Sequence, residues 1–301
     1  MRIAVLLSSY NGEKFIREQI DSILAQQGDF TLDLWVRDDG STDATPGILE
    51  EYAAEGRLHW YAGENLRSTH SFLDLVKTCT GYDFYAFADQ DDVWKPDKLA
   101  RAASALAGKT EPAMVFSDAA LVDGDLRPLG RTVYHHPPRC EYPTMLCIGG
   151  VLGCTTVMNE ALAALIRSKP TPPQIILHDY YAATVCAAVG GQVLYDPYVS
   201  MLYRQHGGNV VGVKTDKWAE LCARLRVIRT PKKISIALHA GTLYDNFADR
   251  MPPDNAAFTA RVRDYRRSLW SRIGLALSRK TRYSSRNLGL TLRLTILCGN
   301  R

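Results

Sequence analysis

Phe84-Tyr85-Ala86-Phe87-Ala88-Asp89-Gln90-Asp91-Asp92 (residues 84–92) is an apolar, β-patterned run that ends abruptly in three carboxylates. Trp94 and Pro96 follow and break the strand. Carboxylates this close repel one another unless something neutralises them, and a divalent cation with oxygen ligands does so most simply. In an extended segment the alternation Asp89-Gln90-Asp91 places two carboxylates on one side, facing one metal. A solvated acidic turn is the competing interpretation, and a second acidic cluster upstream weighs against it.

That second cluster is Asp38-Asp39-Gly40-Ser41-Thr42-Asp43, which closes a strand expected over Leu32 to Arg37. Before it, Ile3 to Ser8 is a continuous apolar run, as in a strand buried on both faces. Asn11 is expected to cap a helix with Ile16, Ile20, Ile23 and Leu24 at helical spacing. Further helices are expected to about Tyr52, over Ser71 to Cys79, over 159–167 and over 179–189, with a short strand from Leu58 to Tyr61. Phe116 to Tyr142 carries few regular signals; Ile148 to Val157 reads as a glycine-laced turn and a strand, and Val193 to Gln205 as β-like. The β-α-β-α alternation predicts an α/β fold with a doubly wound, mostly parallel sheet. Ligands in such sheets sit beyond the carboxyl ends of the strands, where both acidic clusters lie.

The chain has 301 residues, 46% hydrophobic and 23% charged, which suits one large α/β domain or one domain with an appendage. No run of about 18 apolar residues is present, so no membrane-spanning helix is expected. Met1 to Ser9 is too short for a signal-peptide core and reads better as a first strand. Seven cysteines, odd in number and without a CxxC pair, are read as reduced thiols of a cytoplasmic protein; Cys140, Cys147 and Cys154 recur every seven residues without histidines to complete a zinc site. The net charge of +4 hides a split: residues 214–301 carry 19 Lys and Arg against six Asp and Glu, whereas residues 1–213 are net acidic. The expected division is a catalytic body, 1–213, and a basic helical region, 214–301, suited to an anionic surface. Trp218, Leu221, Leu225 and Ile228 form one helical stripe in this region; Phe258, Val262, Tyr265, Leu269 and Ile273 form another, interspersed with arginines.

Ser8-Ser9-Tyr10-Asn11-Gly12, Arg37 to Asp43 and Phe87 to Trp94, in this order and spacing, resemble glycosyltransferase family 2, whose members are inverting transferases of the GT-A fold. Gly153-Cys154-Thr155, His178-Asp179-Tyr180-Tyr181 and Tyr203 to Gly212 extend the resemblance to about 210 residues and toward a rhamnosyltransferase-like branch that builds bacterial surface polysaccharides. The resemblance implies that Ser8, Tyr10 and Asp39 hold the nucleotide base and ribose, with Asp38 supporting that turn. It implies Asp89 toward the nucleotide sugar, Asp91 and His206 on a metal ion (Mn2+ or Mg2+), and Asp179 as the base. Asp179 alone would read as a helix N-cap, and His206 as a surface histidine beside two glycines. Tyrosines follow His178-Asp179 where the branch often has tryptophans, which bears on acceptor contacts.

The implied donor is dTDP-rhamnose, with a UDP-hexose as the alternative, and the implied acceptor is a surface glycan or lipid-linked oligosaccharide. Peripheral docking on an anionic inner membrane face is compatible with the basic region, as is a homo-oligomer; no nucleic-acid motif accompanies the arginines. A nucleotidyltransferase would need a glycine-rich basic loop after the first strand, and a dinucleotide-binding protein would need GxGxxG; neither is present. A non-catalytic sugar-nucleotide or glycan binder remains the alternative outside enzymes, and Asp91 and Asp179 speak against it.

Overall fold

The hub is the first strand, β1 (Arg2–Ser9), whose apolar run alternates between two packed faces. Ile3, Val5 and Leu7 enter one hydrophobic core, and Ala4 and Leu6 enter the other. The computed structural model describes residues 1–206, 234–281 and 286–300. After β1 come α1 (Ile16–Leu24), β2 (Thr31–Asp38), α2 (Thr45–Ala54), β3 (His59–Ala62), α3 (Arg67–Thr78), β4 (Phe84–Ala88), β5 (Val93–Trp94) and α4 (Lys98–Leu106). β6 (Ala113–Val122), β7 (Pro128–Thr132), α5 (Tyr142–Ile148), β8 (Val157–Asn159), α6 (Glu160–Arg167), α7 (His178–Ala188) and β9 (Gln192–Arg204) complete the first described segment. The remaining helices are α8 (Ile236–Phe247), α9 (Pro253–Asp264), α10 (Leu269–Ala276) and α11 (Arg286–Leu297).

The described strands form one sheet in the order β3-β2-β1-β4-β8-β6-β9-β5, with β7 paired to β6. β3, β2, β1 and β4 are mutually parallel, the product of right-handed β-α-β crossovers. β8 then inserts antiparallel between β4 and β6, and β6 runs parallel to β9. The carboxyl ends of β1, β2 and β4 therefore share one edge, which carries Ser8, Asp38, Asp39 and Asp89.

Helices α1, α2 and α4 cover one face of the sheet. The other face is covered by α3, α5, α6 and α7, and the basic region packs on the same side: Leu243, Phe247, Phe258, Val262, Tyr265, Leu275 and Ile296 belong to that core. Hydrogen bonds tie the layers, from Thr184 to His239 at 2.8 Å and from Tyr142 to Thr259 at 2.5 Å.

Some local expectations are corrected. Asn11 does not cap α1: it adopts φ 48°, and its side chain accepts from the Thr42 N–H at 2.8 Å, while α1 is entered through a turn on the Gly12 carbonyl. The segment from Phe116 is a long buried strand with a hairpin partner rather than irregular chain. Ser117 and Asp118 hide it in the sequence, yet both are buried and bonded, Ser117 to Ser200 at 2.6 Å and Asp118 to the backbone N–H groups of Ala119, Val133 and Tyr134. Gly153–Thr155 is a single helical turn, so the strand there begins only at Val157. The second apolar stripe of the basic region holds through Phe258, Val262 and Tyr265. It breaks where Ser268 starts a new helix by accepting from the Ser271 N–H, leaving Leu269 61% exposed. The Trp218 stripe, the Gly207 to Gly212 motif and the 213/214 boundary lie outside the described residues.

Candidate active site

The two amino-terminal signature loops are laced together before any ligand is considered. The N–H groups of Asn11 and Gly12 donate to the Ser41 and Thr45 hydroxyls, both at 2.8 Å. Glu13 N–H donates to Asp43 and Ala44 N–H to Glu13. Asp38 is turned inward: it accepts from the Ser9 hydroxyl at 3.1 Å and from the Ser41 N–H at 2.9 Å, and it does not line the cavity. It supports the turn. Asp39, only 2% exposed, pairs with buried Arg37 and accepts from the Leu66 N–H at 2.9 Å. Arg37 is also held by Asp74 at 3.0 Å and the Glu64 carbonyl at 2.9 Å, so the Asp39 carboxylate is fixed at the cavity edge.

Gln90, the middle residue of the acidic triplet, clamps the end of β1. It accepts from the Tyr10 N–H at 2.8 Å and donates to the Tyr10 carbonyl at 3.1 Å. A Cβ on Gly12 would come within 2.5 Å of the Gln90 side chain, so only glycine admits the clamp.

These loops open onto a cavity of about 490 Å³. Of the residues singled out in the sequence, Ser8, Tyr10, Asp39, Asp89, Asp91 and Asp179 line it. His206 stands beside it, with Nε2 2.6 Å from the Asp91 carboxylate and its ring 5.0 Å from that of Phe15. The lining also includes Asn65, Arg67, Phe72, Gly153, His178 and Tyr203. Gly153, His178 and Tyr203 fell inside the quoted motifs without a role. Asn65 and Arg67 had no signal: Asn65 lies just before α3, and Arg67 is its first residue, at φ 61°.

Charge is concentrated at the cavity floor. Burial, then repulsion from Asp91 and Asp179, pushes the Asp89 carboxyl up to about 7. Burial pushes Asp179 up to about 6, against hydrogen bonds from the backbone of Tyr180 and Gly153. Asp92 is fully buried and also raised, chiefly by burial; it accepts from the Arg204 N–H at 3.1 Å, so it braces the loop from behind. Arg204 adds a bond to the Asp91 carbonyl at 2.7 Å.

A family model for glycosyl transferase family 2 matches residues 4–152. The chain belongs to glycosyltransferase family 2. As a family 2 chain it is 29% identical over 226 residues to the dTDP-rhamnosyl transferase RfbG of Shigella flexneri, an alignment covering 68% of this chain and 73% of that protein. It is 30% identical over 160 residues to the putative teichuronic acid biosynthesis glycosyltransferase TuaG of Bacillus subtilis, covering 52% and 62%. Its fold matches that of S. aureus TarS in complex with UDP-GlcNAc, with a TM-score of 0.55 at 15% identity over 99% of this chain and 90% of that one. It also matches the mannosyltransferase PcManGT from Pyrobaculum calidifontis in complex with GDP-Man and Mn2+, with a TM-score of 0.53 at 18% identity over 99% and 85%. The GT-A architecture of family 2 is thus the architecture of this α/β chain, with a helical carboxyl-terminal region added.

Two donor sets for a cation can be compared. Asp89, Asp92 and Cys154 lie within 4.8 Å of one another. Burial raises the Cys154 thiol well above its usual range, and Asp92 is buried and does not line the cavity. Asp91 and His206 offer an oxygen and an imidazole nitrogen at the cavity mouth, a set that fits Mn2+ or Mg2+ reached by a phosphate. No described helix is long and apolar enough to cross a membrane.

Proposed function

We propose that this glycosyltransferase moves L-rhamnose from dTDP-rhamnose to a hydroxyl of a surface polysaccharide or lipid-linked glycan, with inversion and with a divalent cation. The observation that carries the reaction is that one cavity is lined by Ser8, Tyr10 and Asp39 and also by Asp179. The donor assignment is supported by the likeness to a protein named as a dTDP-rhamnosyl transferase; a UDP-hexose is the second donor.

Ser8, Tyr10 and Asp39 receive the base and ribose, and Asp89 faces the donor sugar. Asp91 and His206 would hold Mn2+ or Mg2+, which when bound neutralises the charge gathering on the departing diphosphate. Arg67 is the guanidinium among the described lining residues and stands ready for the same charge. Asp179 removes the acceptor hydroxyl's proton as that oxygen bonds to the anomeric carbon; the carbon–oxygen bond to the diphosphate breaks, and the leaving group keeps the electron pair. One displacement with no second nucleophile inverts the anomeric centre.

The test is a donor screen by thermal shift and diphosphate release, using dTDP-rhamnose, UDP-glucose, UDP-galactose and UDP-N-acetylglucosamine, each with Mn2+, Mg2+ or chelator. Stabilisation and slow release of dTDP from dTDP-rhamnose, lost in chelator, are expected. A response confined to a UDP-sugar would replace the donor, and a full response in chelator would remove the metal.

A second reading concerns location: the basic region docks the enzyme on an anionic inner membrane face. It is supported by Leu269, Trp270 and Leu277, which lie exposed on α10 and just past its end among basic residues, Trp270 at 80%.

A further inference from the structure

His178 has both ring nitrogens unpartnered although the residue is only 6% exposed. Among the described residues that line the cavity, no other side chain carries buried polar atoms without a partner. The ring is well fixed. It stacks on Phe72 with centroids 3.9 Å apart and meets Phe87 edge-on at 4.8 Å. Gly153 packs directly against the ring edge and the neighbouring carboxylate: a Cβ there would lie 3.0 Å from His178 Nε2 and 3.0 Å from the Asp179 carboxylate. Burial holds the imidazole down to about 3, so the ring is neutral and presents one N–H donor and one acceptor nitrogen. Leaving both unmade in a buried wall is costly, and such a group calls for a polar partner.

A sugar hydroxyl both donates and accepts, which matches this edge. We propose that His178, which lines the cavity beside Gly153, hydrogen-bonds a hydroxyl of the donor sugar once the site is filled, and so sets the anomeric carbon beside Asp179. The donor is favoured over the acceptor because the ring is packed on Phe72 and Phe87, whose chain neighbours Ser71 and Ala88 belong to the Ser8 and Asp89 side of the cavity. This inference rests on the proposed role of the cavity as a nucleotide-sugar site.

The test compares His178→Phe, which keeps the aromatic packing and removes the nitrogens, with His178→Gln, which keeps a donor and an acceptor. Calorimetry with Mn2+ present would measure dTDP and UDP against dTDP-rhamnose and UDP-glucose. The Phe variant is expected to bind the diphosphates within about twofold of wild type and its sugar nucleotide roughly tenfold more weakly, with the Gln variant recovering part of the loss. Equal weakening of diphosphate and sugar nucleotide, unchanged sugar-nucleotide affinity, or a rise confined to the acceptor KM would each overturn the inference alone. A wild-type protein that binds none of the four ligands would overturn the nucleotide-sugar reading and this inference with it.

Discussion

In the proposed mechanism Asp179 acts as a base while buried, and the two demands pull its proton in opposite directions. A base must be ionised, so transfer is expected to fall about tenfold per pH unit below a limb near 6, read from kcat against pH. Stability runs the other way. Between the ordinary carboxyl value and about 6 the folded state keeps a proton that the unfolded chain has released, so this group's contribution declines as pH rises through that window and is flat above it. Asp179→Asn keeps the oxygen that accepts from the Tyr180 N–H and removes the buried charge. Its expected result is a higher melting temperature at pH 7, intact sugar-nucleotide binding, and transfer lowered by about 10² to 10⁴-fold. Near wild-type turnover would remove Asp179 from the chemistry. Asp91→Ala tests the other end: calorimetry should show that Mn2+ no longer strengthens binding of the nucleoside diphosphate.

At the scale of elements, single side chains hold whole segments in register. Asn159 accepts from the Leu162 N–H to cap α6 and from the Ala113 N–H to fix the start of β6, and its amide donates to the Lys109 and Glu111 carbonyls. Asn159→Ala is therefore expected to cost about 2–3 kcal/mol, measured by urea unfolding, with no change in the pH limb of activity. A loss under a few tenths of a kcal/mol would mean that solvent replaces those bonds. β1 and β4 were legible in the sequence because their apolar runs are unbroken, and β2 and β4 because their acidic ends are abrupt. β6 was not, because buried Ser117 and Asp118 look like surface residues until their distant partners are known. The same limit governs the site. Carboxylates clustered after strands announce themselves, whereas Arg67, His178 and Tyr203 reach the cavity lining only through where the fold puts them. The function of Ser41, Thr42 and Thr45 as laces between loops was equally hidden, since it depends on contacts with Asn11 and Gly12.

At the scale of the molecule, the described part of the basic region is both part of the core and a bearer of exposed apolar side chains. Phe258, Val262, Leu275 and Ile296 face inward, while Leu269, Trp270, Leu277, Leu290 and Leu294 are exposed on or just beyond α10 and α11. Arg267, Arg279 and Lys280 lie exposed in the same stretch. Flotation with vesicles is expected to show binding to anionic but not to neutral lipid, screened by salt, and Trp270→Glu is expected to weaken it without altering the melting temperature. No binding of the intact protein to anionic vesicles at modest salt would sink membrane docking.

The pairing of Asp91 with His206 joins residues separated by 115 positions. During synthesis the ribosome must therefore release well over two hundred residues before the two can meet. Under the proposed function a shorter nascent chain lacks one of the two cation-holding side chains, so cation and sugar nucleotide would stabilise the finished product rather than guide its early folding. Premature termination or slow translation ahead of this point would leave a sheet dependent on its own packing, and such fragments would be the species most exposed to proteases and chaperones.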